Sequence, residues 1–214
     1  MTKKYIKEVC KKYNIKNYTI NSDMTVDVND DVYIRYSNLK ELPIYFNIVD
    51  DNFVCDSQNL NSLKGCPRKV YGGFDASYNK LKDLKYFPEY VEGNVFLDYN
   101  DISDLTYLPK KTSLNINLSG NEIRTFKNLF NHTFYVENNP IEPLWDLFKD
   151  RNYIDYFNEL DIISPDERSI VFDRLNYFLV DIGKGELDIL SKNGSLFRTK
   201  NNKIYRFENY NIIY

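Results

Sequence analysis

The chain has 214 residues, of which 43% are hydrophobic and 28% are charged, and its formal net charge is -3. This composition is typical of a soluble globular protein of one or two domains, and the mild charge argues against strong attraction to nucleic acid or to an anionic membrane. No apolar run of about 18 residues is present, so no transmembrane helix is expected. The first residues are basic but lack an apolar segment after them. We therefore expect no signal peptide and a cytoplasmic location.

The first predicted element is a short amphipathic helix within the first thirteen residues. Its apolar positions, which recur at helical spacing, are Tyr5, Ile6, Val9, Cys10 and Tyr13. We interpret residues 1–26 as an N-terminal cap, because the first unit of a stack of repeats would otherwise expose its apolar side.

After this cap, a pattern of apolar residues, prolines and asparagines returns every 21 residues. Its rows are Leu39, Leu60, Leu81, Ile102 and Ile123; Leu42, Leu63, Leu84, Leu105 and Phe126; Pro67, Pro88 and Pro109; and Asn79, Asn100 and Asn121. A period of this size indicates a solenoid, in which each unit buries its apolar side against its neighbours.

Each unit contains an alternation of period two that predicts a short, half-buried strand, as in Phe74 and Ala76. Asn79 follows this strand at the turn, where its amide can satisfy backbone groups of neighbouring turns. The pattern covers residues 27–144 in six units, the last of which is shortened to 18 residues. The fold class is therefore predicted to be α/β, with a solenoid that fits the leucine-rich-repeat scheme L-x-x-L-x-L-x-x-N-x-L.

The units also resemble those of a family of leucine-rich-repeat proteins encoded by bacteriophages and large viruses. That family's unit reads roughly N-x-L-x-S-L-x-G-C-P-x-x-V-x-G-x-F-x-x-S-x-N, and residues 59–79 are the comparable stretch here. Residues 18–28 resemble the family's opening segment, and residues 157–163 and 173–179 resemble its tail. Units from Asn121 onward lack the Gly-Cys-Pro segment. The resemblance implies a phage source and a repeat scaffold, and it implies no activity.

Residues 145–214 are predicted to form a C-terminal cap of helices followed by strands. One or two helices are expected between residues 143 and 160. A further helix is expected to begin with Ser164 as N-cap and Pro165 as first helical residue, and to run through Leu179 or Val180 before it stops near Gly183.

The last thirty residues of the chain are predicted to form a three-stranded meander. Residues 187–190 and 195–198 lie on either side of Asn193-Gly194, which is a typical hairpin turn. A third strand, residues 203–207, follows the polar turn at residues 201–202.

The residue types needed for catalysis are scarce. His132 is the only histidine, and we expect it to have a structural or solvent-facing role. The three cysteines do not suggest a disulfide framework, and Cys55 and Cys66 fall on apolar positions of the repeat. No cysteine lies in residues 145–214, which excludes the nucleophile of bacterial leucine-rich-repeat ubiquitin ligases. No nucleotide-binding glycine loop is present. We therefore expect no catalytic, cofactor or metal site.

The remaining candidate is the strand face opposite the buried rows, because side chains alternate along a strand. Exposed aromatic residues among acids on this face are typical of a binding surface, whereas a purely solvated sheet face is the alternative. The residues predicted to bind a partner on this concave face are Tyr33, Arg35, Asp56, Asp75, Tyr78, Phe96, Asp98, Tyr99, Asn117, Tyr135 and Glu137.

The acids of this face predict a basic or neutral protein partner and argue against direct nucleic-acid binding. Mimicry of a phosphate backbone is a further possibility, and one carboxylate per repeat is sparse for calcium. The sequence thus favours a monomeric, non-enzymatic protein-interaction module that inhibits or modulates a host defence or regulatory protein in the host cytoplasm. The alternatives are a structural or self-assembling protein acting through its C-terminal strands, and an enzyme whose site lies in residues 145–214.

Overall fold

The structure is a computed structural model that describes residues 1–109, 114–129, 133–148, 153–191, 195–199 and 202–214. The chain divides into two compact units. The first comprises residues 1–122 and 128–138, and the second comprises residues 123–127 and 139–214. No helix in these ranges has the length and hydropathy needed to cross a membrane.

The first unit begins with helix α1 (Lys3–Lys12), as predicted. The hydroxyl oxygen of Thr2 caps this helix, since it accepts a 3.2 Å hydrogen bond from the backbone N–H of Tyr5. Ile6, Val9 and Cys10 are buried, and they form the apolar side that the helical spacing indicated.

A β-solenoid built from two sheets follows the helix. Its strands are β1 (Tyr18–Ile20), β2 (Thr25–Val28), β3 (Val32–Tyr33), β4 (Tyr45–Val49), β5 (Phe53–Val54), β6 (Lys69–Val70), β7 (Phe74–Asp75), β8 (Tyr90–Val91), β9 (Val95–Phe96), β10 (Asn115–Asn117) and β11 (Thr133–Tyr135). The first sheet has the order β1-β2-β4-β6-β8, and the second has the order β11-β10-β9-β7-β5-β3. All neighbouring strands are parallel except the antiparallel pair β1 and β2.

The second sheet confirms the strands that the alternation predicted. Its six strands occupy the six predicted positions, and residues paired across neighbouring strands keep the same place in the repeat, as Phe53 does with Phe74 and Phe74 with Val95. The inward residues of these strands are at most 5% exposed. Leu60, Leu63, Leu81 and Leu84 of the two leucine rows are fully buried as well.

The first sheet was not predicted, because the sequence pattern indicated only one strand in each unit. Its strands contain the valine row Val28, Val49, Val70 and Val91, which is buried to 1% exposure or less. Strands β6 and β8 have two residues each, and their valines have no apolar residue two positions before or after them, so the sequence shows no alternation there. Neighbouring turns supply the hydrogen bonds that define these strands.

The second unit contains helices α2 (Glu142–Phe148), α3 (Ile154–Glu159) and α4 (Phe172–Asp181) and strands β12 (Ser169–Val171), β13 (Asp188–Ile189), β14 (Leu196–Arg198), β15 (Ile204–Arg206) and β16 (Asn211–Ile213). Helices α2 and α3 occupy the segment where one or two helices were predicted. Phe126, Phe157 and Phe178 form part of its core through edge-to-face contacts with ring centroids 4.8 and 5.2 Å apart.

The predicted start of the third helix is wrong. Ser164 begins a tight turn in which its carbonyl accepts a 2.8 Å hydrogen bond from the backbone N–H of Glu167, and its hydroxyl binds the Asp166 carboxylate. Strand β12 follows, and helix α4 begins only at Phe172. Serine and aspartate serve a turn as well as a helix start, so their local chemistry did not distinguish the two. The helix ends at Asp181, close to Gly183 as predicted.

Strands β13, β14 and β15 form the predicted antiparallel meander. The turn residues Asn193, Gly194 and Asn201 lie outside the described residues. Strand β16 was not predicted. It pairs in parallel with β12, more than forty residues earlier in the chain, and this pairing cannot be read from a local pattern.

Candidate functional site

The candidate site lies on the side of the second sheet that faces away from the core, which we call the outer face. Its first row is Tyr33, Val54, Asp75, Phe96, Asn117 and Tyr135, and its second row is Arg35, Asp56, Ser77, Asp98, Ser119 and Glu137. The two rows lie between inward residues, as the alternation along a strand requires. Backbone hydrogen bonds such as Cys55 N–H to Asp75 O, 2.8 Å, continue the ladder past the ends of the short strands.

The aromatic members of the outer face are exposed. Tyr33 is 46% exposed, Phe96 41% and Tyr135 50%. These three rings therefore present apolar surface to the solvent at both ends of the sheet, as the sequence led us to expect.

Two of the acids differ from the expectation of an exposed face. Asp56 and Asp98 are each only 8% exposed, and Val54 is also buried. In a parallel stack the neighbouring turns lie about 4.8 Å away on either side, so their side chains are the ones able to cover these positions. Asp75 and Asn117 are partly buried, whereas Arg35 and Glu137 are exposed.

At one end of the outer face, an arginine of the chain neutralises two of the acids. The Nε atom of Arg35 donates to a carboxylate oxygen of Asp56, and its Nη2 atom lies 4.0 Å from a carboxylate oxygen of Asp75. Its guanidinium carbon also lies 5.5 Å from the centre of the Tyr33 ring. Aromatic ring, carboxylates and guanidinium thus form one cation-binding cluster.

At the other end, strands β9, β10 and β11 carry a cleft of about 480 Å³. Asn117 pairs with Phe96 on one side and with Tyr135 on the other, so the two rings stand on either side of the Asn117 carboxamide. Ser119 and Glu137 line the same cleft. The Ser119 hydroxyl donates a 2.9 Å hydrogen bond to the Glu137 carboxylate, and its backbone N–H donates a 3.1 Å bond to Asn117 Oδ1.

Asp98 lies beside this cleft, in the second row between Ser77 and Ser119. Burial raises the pKa of its carboxyl group, and the nearby charge of Asp75 raises this pKa further. Within the described residues, the Asp98 carboxylate forms no ion pair. The charge of Asp56 is therefore balanced by Arg35, whereas no cation among the described residues balances the charge of Asp98.

Tyr78 and Tyr99 occupy a further repeat position, just after the second-sheet strands. Both have a left-handed backbone, with φ of 54° and 53°, and their rings stack with centroids 4.7 Å apart. Tyr36 occupies the same repeat position and is 80% exposed, although it was not among the predicted site residues. Tyr36 lies two 21-residue periods before Tyr78, so the repeat period could have identified it.

Asn94 and Asn115, which were not predicted, also line the cleft, at the start of β9 and β10. The Nδ2 group of Asn115 donates a 3.2 Å hydrogen bond to Asn94 Oδ1. Four of five successive units have an aspartate or asparagine at this repeat position, Asp31, Asn52, Asn94 and Asn115, with Gly73 in the remaining unit, and this row could have indicated them.

His132 lies outside the described residues. Cys10 and Cys55 are buried, whereas Cys66, which we expected in the core, is only partly buried. In the part of the chain that the structure describes, no group of three or more histidine, cysteine or acidic residues could hold a metal ion.

Comparisons of the chain with protein-family models, with curated proteins and with solved structures gave no match.

Proposed function

We propose that the chain is a non-enzymatic leucine-rich-repeat protein that binds another protein through the outer face of its second sheet. The observation that carries this proposal is the exposure of Tyr33, Phe96 and Tyr135 in one row beside a row that contains Asp56, Asp98 and Glu137. Large rings that protrude between polar residues are the usual anchors of protein interfaces. The acids favour a partner with a basic or neutral surface.

The assignment to leucine-rich repeats is part of the same proposal. Asn79 supports it, because this residue follows the strand and bridges turns. Its Nδ2 group donates to the carbonyl oxygens of Cys55, Ala76 and Ser77, and its Oδ1 accepts a 2.9 Å hydrogen bond from the Leu60 N–H. This is the role that the asparagine of the repeat scheme would have in a ladder.

The resemblance to phage-encoded repeat proteins extends the proposal to its biology. A phage protein of this kind would act in the cytoplasm of the host cell, where it would inhibit or modulate a defence or regulatory protein.

Affinity capture from a bacterial lysate, quantified by mass spectrometry, tests the proposal. The bait is the full chain, and the test variant replaces Phe96 and Tyr135 with alanine. The control replaces two rings of similar exposure outside the outer face, Tyr5 (45%) and Tyr107 (49%), with alanine. A partner that the control retains and the test variant loses supports the proposal. Equal capture by both variants contradicts it.

A second candidate function is self-assembly through the C-terminal meander. Its outer strands β13 and β15 carry exposed Ile189 (47%) and Ile204 (54%), and apolar outer strands favour pairing between copies. Light scattering over a range of protein concentrations distinguishes the two, because assembly requires an average mass that rises with concentration, whereas we expect a monomer.

A further inference from the structure

We infer that the cleft between Phe96 and Tyr135 receives an arginine side chain of the bound protein. The inference rests on the proposed function, since it names the chemical group of the partner that the outer face recognises. Three independent features of the cleft lead to it: the spacing of its rings, the charge beside it, and an equivalent arrangement that the chain fills with its own arginine.

The spacing of the two rings suits one flat group between them. Phe96 and Tyr135 are on strands β9 and β11, and only β10 lies between them. Neighbouring strands are about 4.8 Å apart, so the bases of the two side chains are separated by about 9.5 Å. A planar group in contact with a ring on each side needs about 7–8 Å. Small movements of the two side chains therefore close the cleft on a guanidinium plane.

The charge beside the cleft requires that this flat group be a cation. Asp98 is 8% exposed and forms no ion pair within the described residues. Glu137, at the cleft wall, already accepts the hydrogen bond of the Ser119 hydroxyl. A buried carboxylate without a counter-charge is costly, and an incoming cation removes that cost. The Ser119 hydroxyl and the Asn117 carboxamide add hydrogen-bonding groups at the cleft floor.

The other end of the outer face shows how the same residue types hold a guanidinium. There Tyr33 supplies the ring, Asp56 and Asp75 supply the carboxylates, and Arg35 of the chain supplies the cation. The cleft has aromatic rings with the carboxylate of Asp98 beside it, and among the described residues that line it there is no arginine or lysine. The chain's own guanidinium thus balances Asp56, whereas Asp98 has no cation among the described residues and a partner can supply one.

Arginine fits this cleft better than lysine. Its guanidinium is flat, stacks on aromatic faces and donates several hydrogen bonds in one plane, whereas the lysine ammonium is a strongly hydrated point charge. A cleft with an aromatic ring on either side and a carboxylate beside it therefore favours the guanidinium.

The test is a protein-observed NMR titration of the full chain with the peptide acetyl-Gly-Arg-Gly-amide. Peptides with lysine or with citrulline, which has the shape of arginine but no charge, are the comparisons. We expect saturable shifts of the Asn117 side-chain amide, with a Kd about tenfold lower for the arginine peptide than for the citrulline peptide. Phe96→Leu and Asp98→Asn should each weaken arginine binding, and Tyr107→Leu, outside the outer face, should not.

Equal Kd values for the arginine and citrulline peptides would overturn the inference, as would arginine binding that Phe96→Leu leaves unchanged. A neutral oligosaccharide that shifts the Asn117 resonances at lower concentration than the arginine peptide would overturn it too. Partner capture with Phe96→Leu separates this failure from failure of the proposed function. If the partner is lost but the peptides do not discriminate, only the arginine assignment falls, whereas unchanged capture contradicts protein binding through this face.

Discussion

The Oδ1 atom of Asn100 accepts a 3.1 Å hydrogen bond from the backbone N–H of Leu81, one turn earlier in the solenoid. The Nδ2 group of the same side chain donates to the carbonyl oxygens of Ala76 and Leu97, at 3.0 and 3.1 Å. One buried amide thus satisfies backbone groups of two successive turns. Gln58 has the corresponding place in an earlier unit, where it accepts from the Ser37 N–H and donates to the Ile34 carbonyl.

Replacement of Asn100 by alanine should lower the free energy of unfolding by about 3 kcal/mol, because it leaves several buried backbone groups without a partner. Urea denaturation of the full chain measures this change. Asn61 is a matched control, since it is exposed and its alanine variant should change stability by less than about 0.5 kcal/mol. Similar losses for the two variants would show that the asparagine ladder does not stabilise the stack.

Gly120 combines a left-handed backbone, φ of 67°, with close contact to a ring. A Cβ atom at this position would lie 2.8 Å from Cδ1 of Tyr99. Gly183 has a similar φ of 77°, but a Cβ atom there would have no neighbour within 4 Å. Alanine at Gly183 would therefore introduce backbone strain alone, whereas alanine at Gly120 would add steric overlap with the Tyr99 ring.

Gly183→Ala should cost about 1–2 kcal/mol through backbone strain alone, and Gly120→Ala should cost more. Thermal or urea unfolding checks the order of the two losses. The additional variant Tyr99→Ala should reduce the cost of Gly120→Ala, because it removes the ring that the new methyl group meets. A Gly120→Ala cost no larger than that of Gly183→Ala would contradict the assignment of overlap.

The carboxyl group of Asp98 should lower the free energy of unfolding as the pH rises, whereas a carboxylate in an ion pair would raise it. Burial raises its folded-state pKa, so the folded chain binds this proton more tightly than the unfolded chain. The charged form therefore lowers stability above the folded-state pKa, and the penalty disappears as the pH falls towards the unfolded value of about 3.9. Asp98→Asn should be more stable than the native chain at pH 7, and this advantage should vanish near pH 3.

Asp166→Asn provides the contrast for this measurement. A hydrogen bond from the Ser164 hydroxyl and then one from the Arg168 N–H lower the pKa of Asp166. Its charged form therefore stabilises the fold at pH 7, and that stability is lost as the pH falls through the folded-state pKa. We expect Asp166→Asn to be less stable than the native chain at pH 7. Urea unfolding at pH 7 and pH 3 tests both variants, and equal signs at pH 7 would refute the prediction.

The three thiols should differ in reactivity. Burial raises the pKa of Cys10 to about 11, and a hydrogen bond with Cys66, followed by burial, raises the pKa of Cys55 well above its ordinary value. The thiolate is the reactive form, so iodoacetamide at pH 8 should label the partly buried Cys66 first. Peptide mapping should find Cys10 and Cys55 labelled only in urea, and Cys66→Ser should abolish labelling of the native chain. Early labelling of Cys10 would contradict its burial.

The repeat period was sufficient to predict the core of the solenoid. Phe74 and Ala76 point inward because a strand alternates, and Asn79 bridges turns because its amide is the right length for the backbone beside it. Helix α1 was equally visible, since its apolar residues recur at 3.6-residue spacing. These features depend on residues close together in sequence, or on an offset that every unit shares.

Contacts between distant residues decided the rest. The two-residue strands β6 and β8 exist because the neighbouring turns bind them, and β12 is a strand because β16 pairs with it. Contacts between distant residues also decided the burial of the site residues. The outward direction of Asp98 could be read from the alternation, but its burial depends on the side chains of the turns before and after it.

The sequence by itself thus determined which residues of each turn point inward and which point outward, because that follows from local backbone geometry. Only the tertiary structure decided which outward residues meet. Parallel stacking brings Phe96 and Tyr135 to either side of Asn117, and it places Arg35 against Asp56 while Asp98 has no cation within the described residues. Those neighbours are set by the register between turns, and a local pattern does not contain that register.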